Sequence, residues 1–211
     1  MPVRPARVDL WLADLGSPGW CDIVPGPLGS GTNESAAGRI LAQAVLGDRS
    51  NPPPANLSHS GRLLILGVAR DARIELLGVD VEVRRPVPRP SAFARRILGV
   101  GERLPDGDDV VAAWTVKEAA LKAIGVGLHG DPRDWRFGWG PDGQVKLLFP
   151  AEAWGPAEVW AFNRREITIP ESASIAVGAR LRAPGMLEVR LRKASKVPER
   201  RGIRRGREDA G

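Results

Sequence analysis

Trp114-Thr115-Val116-Lys117-Glu118-Ala119-Ala120-Leu121-Lys122-Ala123-Ile124-Gly125 is a run of good helix formers closed by a glycine, and its composition predicts a helix. One helical turn separates Glu118 from Lys122, so both project from the same face, with Trp114 a turn earlier on that stripe. Leu121 and Ile124 fall on a neighbouring stripe suited to a core. A carboxylate and an ammonium this close form a surface ion pair in many helices. A second stretch upstream gives the pair another reading.

That stretch is Gly78-Val79-Asp80-Val81-Glu82, within a strand predicted over Leu76 to Val83. Side chains alternate across a sheet, so Asp80 and Glu82 share one face while Val79, Val81 and Val83 share the other. Two carboxylates side by side repel each other, and a hard divalent cation relieves that repulsion through oxygen ligands. The competing reading is a solvent-facing strand balanced by Arg84 and Arg85.

Composition narrows the classes. A chain of 211 residues is long enough for one large domain or two small halves around a real core. A single cysteine, Cys21, excludes an internal disulfide framework and disfavours a thiolate metal cluster. Two histidines, His59 and His129, leave little material for a histidine zinc site. The sequence shows neither an apolar run of membrane-spanning length nor a signal-peptide pattern, so the expectation is a cytoplasmic protein with no membrane partner. The net charge of +6 owes part of its excess to the run from Arg190 to Arg207, which reads as a solvated tail rather than a nucleic-acid arm.

Along the chain, Val8 to Leu12 reads as a strand and Ser35 to Leu46 as a helix stopped by Gly47. Asp48 to Pro54 is a linker. Asn56-Leu57-Ser58-His59-Ser60-Gly61 reads as a polar loop that enters an apolar run at Leu63. Such a loop can present hydroxyl, imidazole and backbone N–H groups to an anion, although an ordinary turn has the same composition. Ser91 is placed as the cap of a short helix ending at Leu98. Strands are predicted at Trp135 to Trp139, Val145 to Phe149, Val159 to Phe162 and Ser174 to Ala179, with Pro141-Asp142-Gly143 turning the first pair into a hairpin. Helix followed by hairpin-linked strands predicts an α+β fold. The expected organisation is two similar halves, residues 1–72 and 73–192, followed by a basic tail over 193–211.

Taken in order, Asn-Leu-Ser-His-Ser-Gly, Gly-Val-Asp-Val-Glu and Trp-Thr-Val-Lys-Glu-Ala-Ala-Leu-Lys resemble the motifs of the 4′-phosphopantetheinyl transferases, in particular the larger two-half, surfactin-synthetase-activating type. The resemblance runs from about Asn56 to Gly127. It implies two α+β halves related by a pseudo-twofold in a monomer. The implied activity moves phosphopantetheine from coenzyme A to a serine of an acidic apo acyl or peptidyl carrier protein and releases adenosine 3′,5′-bisphosphate. Carried over residue by residue, Asp80, Glu82 and Glu118 would hold magnesium, and Lys122 would contact the phosphates. Ser58 and His59 would bind coenzyme A phosphates, with Arg39 and Arg49 as further cations on that side.

The chemistry of the residue types agrees with this. Transfer from a pyrophosphate depends on positioning and charge neutralisation; Glu118 is the best-placed base for the serine proton, directly or through a water, and a metal-bound water is its rival. Trp114 and Lys117 match motif positions; Trp114 is assigned to packing, and the role of Lys117 is left open. The family's first half usually offers several basic residues to the coenzyme A 3′-phosphate, whereas the segment before Ser35 is poor in them here. The rival reading is a non-catalytic relative that binds carrier proteins.

Overall fold

The computed structural model describes residues 4–24, 26–28, 31–105, 109–140, 144–149, 154–168 and 170–194. The first half contains β1 (Ala6–Asp14), the short helix α1 (Pro18–Cys21), α2 (Thr32–Leu46), β2 (Ala55–Ser60) and β3 (Leu63–Ala69). The second contains β4 (Ile74–Val83), α3 (Pro90–Ile97), α4 (Val110–Ala123), β5 (Arg136–Trp139), β6 (Val145–Phe149), β7 (Trp160–Ile167), β8 (Ala173–Leu181) and β9 (Leu187–Lys193). The class is α+β, as the sequence predicts.

Both halves repeat one connectivity. In the first, a strand leads through a helix to a hairpin, and the strands lie in the order β2-β3-β1. In the second, β4 leads through α4 to β7 and β8, and the order is β4-β8-β7. In each, the last strand sits between the other two and pairs antiparallel with both. One core lies between the two sheets, with Val8, Leu10, Leu12 and Ile65 meeting Val79, Val81, Ile175 and Val177. The opposite face of the first sheet packs on α2 through Leu41, Leu64 and Leu66. The opposite face of the second packs on α4 through Val116, Ala119, Ala120 and Ala123.

The alternation read from β4 therefore has a physical outcome. Val79 and Val81 enter the core between the sheets, and Gly78, Asp80 and Glu82 turn toward the helix side. Gly78 decides how close that helix comes. A Cβ there would lie 2.0 Å from the Ala119 carbonyl oxygen and 2.4 Å from the Ala123 amide nitrogen. Backbone thus rests on backbone at this point, and the acids of β4 reach the acid and ammonium of α4. At its start α4 is capped by Asp109, which accepts from the Ala112 amide at 3.0 Å and pairs with Arg84.

Four expectations change. Asn56 to Ser60 is a strand rather than a loop, because it lies along β3 from Ala55↔Val68 to Ser60↔Leu63 and buries Ser58. α2 begins at Thr32, a turn before Ser35. α3 begins at Pro90 behind Arg89, with no side-chain cap, since proline fits the first turn of a helix; Ser91 lies inside it. The basic run is a strand at its start, although Arg190, Arg192 and Lys193 stay exposed. Residues 190–193 complete β9, which pairs parallel with β1 from Ala6↔Leu187 to Leu12↔Lys193.

Asp9, buried in β1, anchors the added strand by pairing with Arg192 at 3.1 Å and with Arg70 at 3.0 Å. The buried Trp20 indole donates to the Ala194 carbonyl at 2.7 Å. A chain ending after Ala194 is therefore expected to keep its thermal midpoint within a few degrees, whereas one ending after Met186 loses a strand and unfolds at markedly lower temperature. Differential scanning calorimetry of the two truncations checks this. The Pro141-Asp142-Gly143 turn and the tail beyond Ala194 lie outside the described residues; β5 and β6 do pair antiparallel.

Candidate functional site

α4 crosses β4 at Gly78, and one turn further along the helix Lys122 meets the strand again at Asp80. The Lys122 ammonium donates to Asp80 Oδ1 at 2.6 Å and to Ser58 Oγ at 2.9 Å, and stands 4.0 Å from Glu118 Oε2. Ser58 Oγ in turn donates to Asp80 Oδ1 at 2.7 Å. Four of the residues singled out from sequence thus meet at one point, drawn from β2, β4 and α4. Asp80, Glu118 and Ser58 are buried, while Lys122 is about a quarter exposed.

Burial sets the electrostatics. Loss of hydration pushes the Asp80 carboxyl up to about 7, against the pull of Lys122 and Ser58 and with a further push from the Glu82 charge. Burial also raises Glu118, again opposed by Lys122 and assisted by Glu82. Asp80 Oδ2 and Glu118 Oε1 are buried with no hydrogen-bond partner. Two acids raised by desolvation, each with an unsatisfied oxygen, match the hard-oxygen donor set that a divalent cation prefers. The expected trio is not drawn in on one point, however. Among the described residues no group of three or more Asp, Glu, His or Cys side chains converges as a ready-made metal cage. The Lys122 ammonium sits beside Asp80 instead.

Glu82 lies two residues on, half-buried, and accepts from Ser60 Oγ at 2.9 Å. It lines a cleft of about 330 Å³ with Ser60, Arg85, Phe93, Val111 and Trp114. Trp114 packs against Phe93, ring centroids 5.5 Å apart. His59 is exposed, because alternation along β2 sends it to the opposite side from Ser58. Arg39 on α2 and Arg49 in the following loop are exposed, and neither joins the hydrogen-bonded cluster.

Lys117 turns away from the cluster, and its whole side chain is buried. Its ammonium meets Glu102 at 2.7 Å and the Pro132 carbonyl at 3.0 Å, and also donates to the Trp135 carbonyl. Glu102 in addition accepts from the Gly99 and Phe137 amides, both at 2.9 Å. This pair ties the loop before α4 and the start of β5 to the rear of the helix. Lys117→Met is expected to cost about 3 kcal/mol by leaving Glu102 buried without its counter-ion. Adding Glu102→Gln should restore part of that loss, and urea denaturation of the single and double variants measures both.

Sequence reasoning missed Gly78 as a contact point, Glu102 as the partner of Lys117, and the roles of Asn56 and Ser60. The signal for the last two was available: Asn-x-Ser-x-Ser and Gly-x-Asp-x-Glu share a period of two.

A family model described as "4'-phosphopantetheinyl transferase superfamily" matches residues 76–177, the span that contains Asp80, Glu82, Glu118 and Lys122. A holo-[acyl-carrier-protein] synthase of Nitratidesulfovibrio vulgaris is 34% identical over 91 residues, covering 40% of this chain and 73% of that protein. No helix among the described residues is long and apolar enough to cross a membrane.

Proposed function

Because the chain belongs to the 4′-phosphopantetheinyl transferase superfamily, we propose that it carries the two-half form of that activity. The reaction transfers phosphopantetheine from coenzyme A to a serine of an apo acyl or peptidyl carrier protein and leaves adenosine 3′,5′-bisphosphate. The observation that carries this reading is the meeting of Asp80, Glu118 and Lys122 at the crossing of β4 and α4, where two buried carboxyls keep unsatisfied oxygens.

Asp80, Glu82 and Glu118 are the residues that would hold magnesium, which when bound supplies charge neutralisation for the pyrophosphate. Lys122, a quarter exposed and on a flexible stem, adds a positive charge to the phosphates from the same side. The carrier serine oxygen forms a bond to the phosphorus that bears the pantetheine arm, and the bond from that phosphorus to the bisphosphate oxygen breaks. Glu118 takes the serine proton on a carboxylate oxygen, directly or through a water. The cleft beside Glu82, lined by Phe93 of α3 and by Val111 and Trp114 of α4, suits the pantetheine arm. His59, Arg39 and Arg49 serve as outlying cations for coenzyme A. The setting is cytoplasmic, the enzyme a monomer and the carrier surface acidic, in keeping with a chain of net charge +6.

Incubation with coenzyme A, magnesium and a panel of apo carrier proteins, read by intact mass, tests the assignment. A gain of one phosphopantetheine on a carrier serine supports it, and no gain on any carrier, despite folded protein, removes it.

The raised pKa of Asp80 gives a further expectation. In metal-free protein the fold keeps a proton that the unfolded chain releases, so ν for the native state exceeds that of the unfolded state between about pH 4 and about pH 7. Stability contributed by this group is therefore full below about pH 4 and declines as pH rises toward 7. Magnesium should raise the melting temperature most above about pH 7 and hardly at all near pH 5, as thermal scans with and without the cation will show.

A further inference from the structure

β2 and β4 are edge strands of different sheets, and they face each other across the seam between the halves. Side chains join them where a backbone ladder would otherwise run. Asn56 Oδ1 accepts from the Val79 amide at 3.0 Å, Ser58 Oγ from the Val81 amide at 3.4 Å, and Ser60 Oγ from the Val83 amide at 3.2 Å. The rungs repeat every two residues on both strands. Each serine also donates to the acid just before the amide it accepts from, Ser58 to Asp80 at 2.7 Å and Ser60 to Glu82 at 2.9 Å. At the Asn56 rung the equivalent position is Gly78, which has no side chain to hold.

A hydroxyl has one proton to give and two lone pairs to offer. Ser58 gives its proton to Asp80 and fills its lone pairs with the Val81 amide and the Lys122 ammonium, and it is 5% exposed. It has no bonding capacity left for an outside phosphate. These bonds fix one oxygen of each acid, and the second Asp80 oxygen, Oδ2, is buried and unpartnered.

We propose that Ser58 and Ser60 are positioning residues: the first half of the chain sets the carboxylate rotamers of Asp80 and Glu82 for cation binding, instead of using these hydroxyls on coenzyme A. The proposal rests on the magnesium-binding reading given above. Hydrogen-bond partners of metal-holding carboxylates and imidazoles commonly govern affinity by 10–100-fold (roughly) when removed.

The test is calorimetric titration of magnesium alone into wild type, Ser58→Ala, Ser60→Ala and Ser60→Thr, with circular dichroism to verify folding. Both alanine variants should bind the cation roughly 10-fold or more weakly. Ser60→Thr should bind like wild type, because its hydroxyl can make the same two bonds. Ser60 is only part-buried, so Ser60→Ala keeps the test alive should Ser58→Ala unfold. Wild-type affinity in a folded Ser60→Ala overturns the proposal alone. Absence of magnesium binding in the wild type overturns the proposal together with the reading beneath it.

Discussion

Replacing Gly78 by alanine is expected to destabilise the protein by about 4 kcal/mol or more and to abolish activity with it. Gly78 is not needed for a turn, since it lies in the middle of β4 opposite Gly178 of β8. The requirement is closeness. The added carbon would stand 2.0 Å from the Ala119 oxygen, 2.4 Å from the Ala123 nitrogen and 2.9 Å from the Ala123 Cα. All three are backbone atoms of α4, so no side-chain rotation relieves the overlap and the helix must move as a body. Such a shift opens the packing around Ala119, Ala120 and Ala123 and carries Glu118 and Lys122 away from Asp80. Adding Ala119→Gly should not rescue the variant, because the obstructing oxygen remains. Gly185→Ala, whose nearest new neighbour is the Leu181 Cδ1 at 3.1 Å, is the control and should stay within about 1 kcal/mol of wild type. Urea denaturation followed by tryptophan fluorescence measures all three.

The same contact explains what could be read from the sequence and what could not. Helical spacing places Glu118 and Lys122 on one face, and strand alternation places Asp80 and Glu82 on one face, because both are local properties of the chain. The α+β class and most elements follow from the same periodicities. Which helix lies on which strand, and how closely, is a long-range property. Gly78 carries it, yet a lone glycine in a strand has many possible meanings. β2 was misread because its polar side chains are those of a loop; their partners are amides and carboxyls of another strand, more than twenty residues away. β9 was misread for a related reason. Leu187, Val189 and Leu191 alternate with charged residues as an edge strand does, but the arginines that follow hide the pattern. Lys117 is left open by the sequence because its partner is remote: one residue's step from Glu118 turns its side chain to the rear of the helix, where it meets Glu102.

Asp80→Asn and Glu118→Gln should each reduce carrier modification by at least roughly 10²-fold while leaving the fold intact. The two amides keep the shape and volume of the acids and remove the charge, so the effect is electrostatic. The accompanying change in stability distinguishes a functional acid from a structural one. Asp80 is buried and its carboxyl is raised to about 7, so ionising it in the metal-free fold costs free energy that asparagine does not incur. Lys122, released from Asp80, is exposed enough to be solvated in place. Metal-free Asp80→Asn is therefore expected to melt at or above the wild-type temperature above about pH 7, even as its activity is lost, and to gain nothing from magnesium. Were Asp80 there chiefly to pair with Lys122, the same variant would melt lower and would lose activity only in proportion to unfolding. Thermal scans, alongside initial rates of carrier modification at saturating coenzyme A, separate the two outcomes: opposite signs for stability and rate mark a carboxylate kept for chemistry, and matching signs mark a structural ion pair.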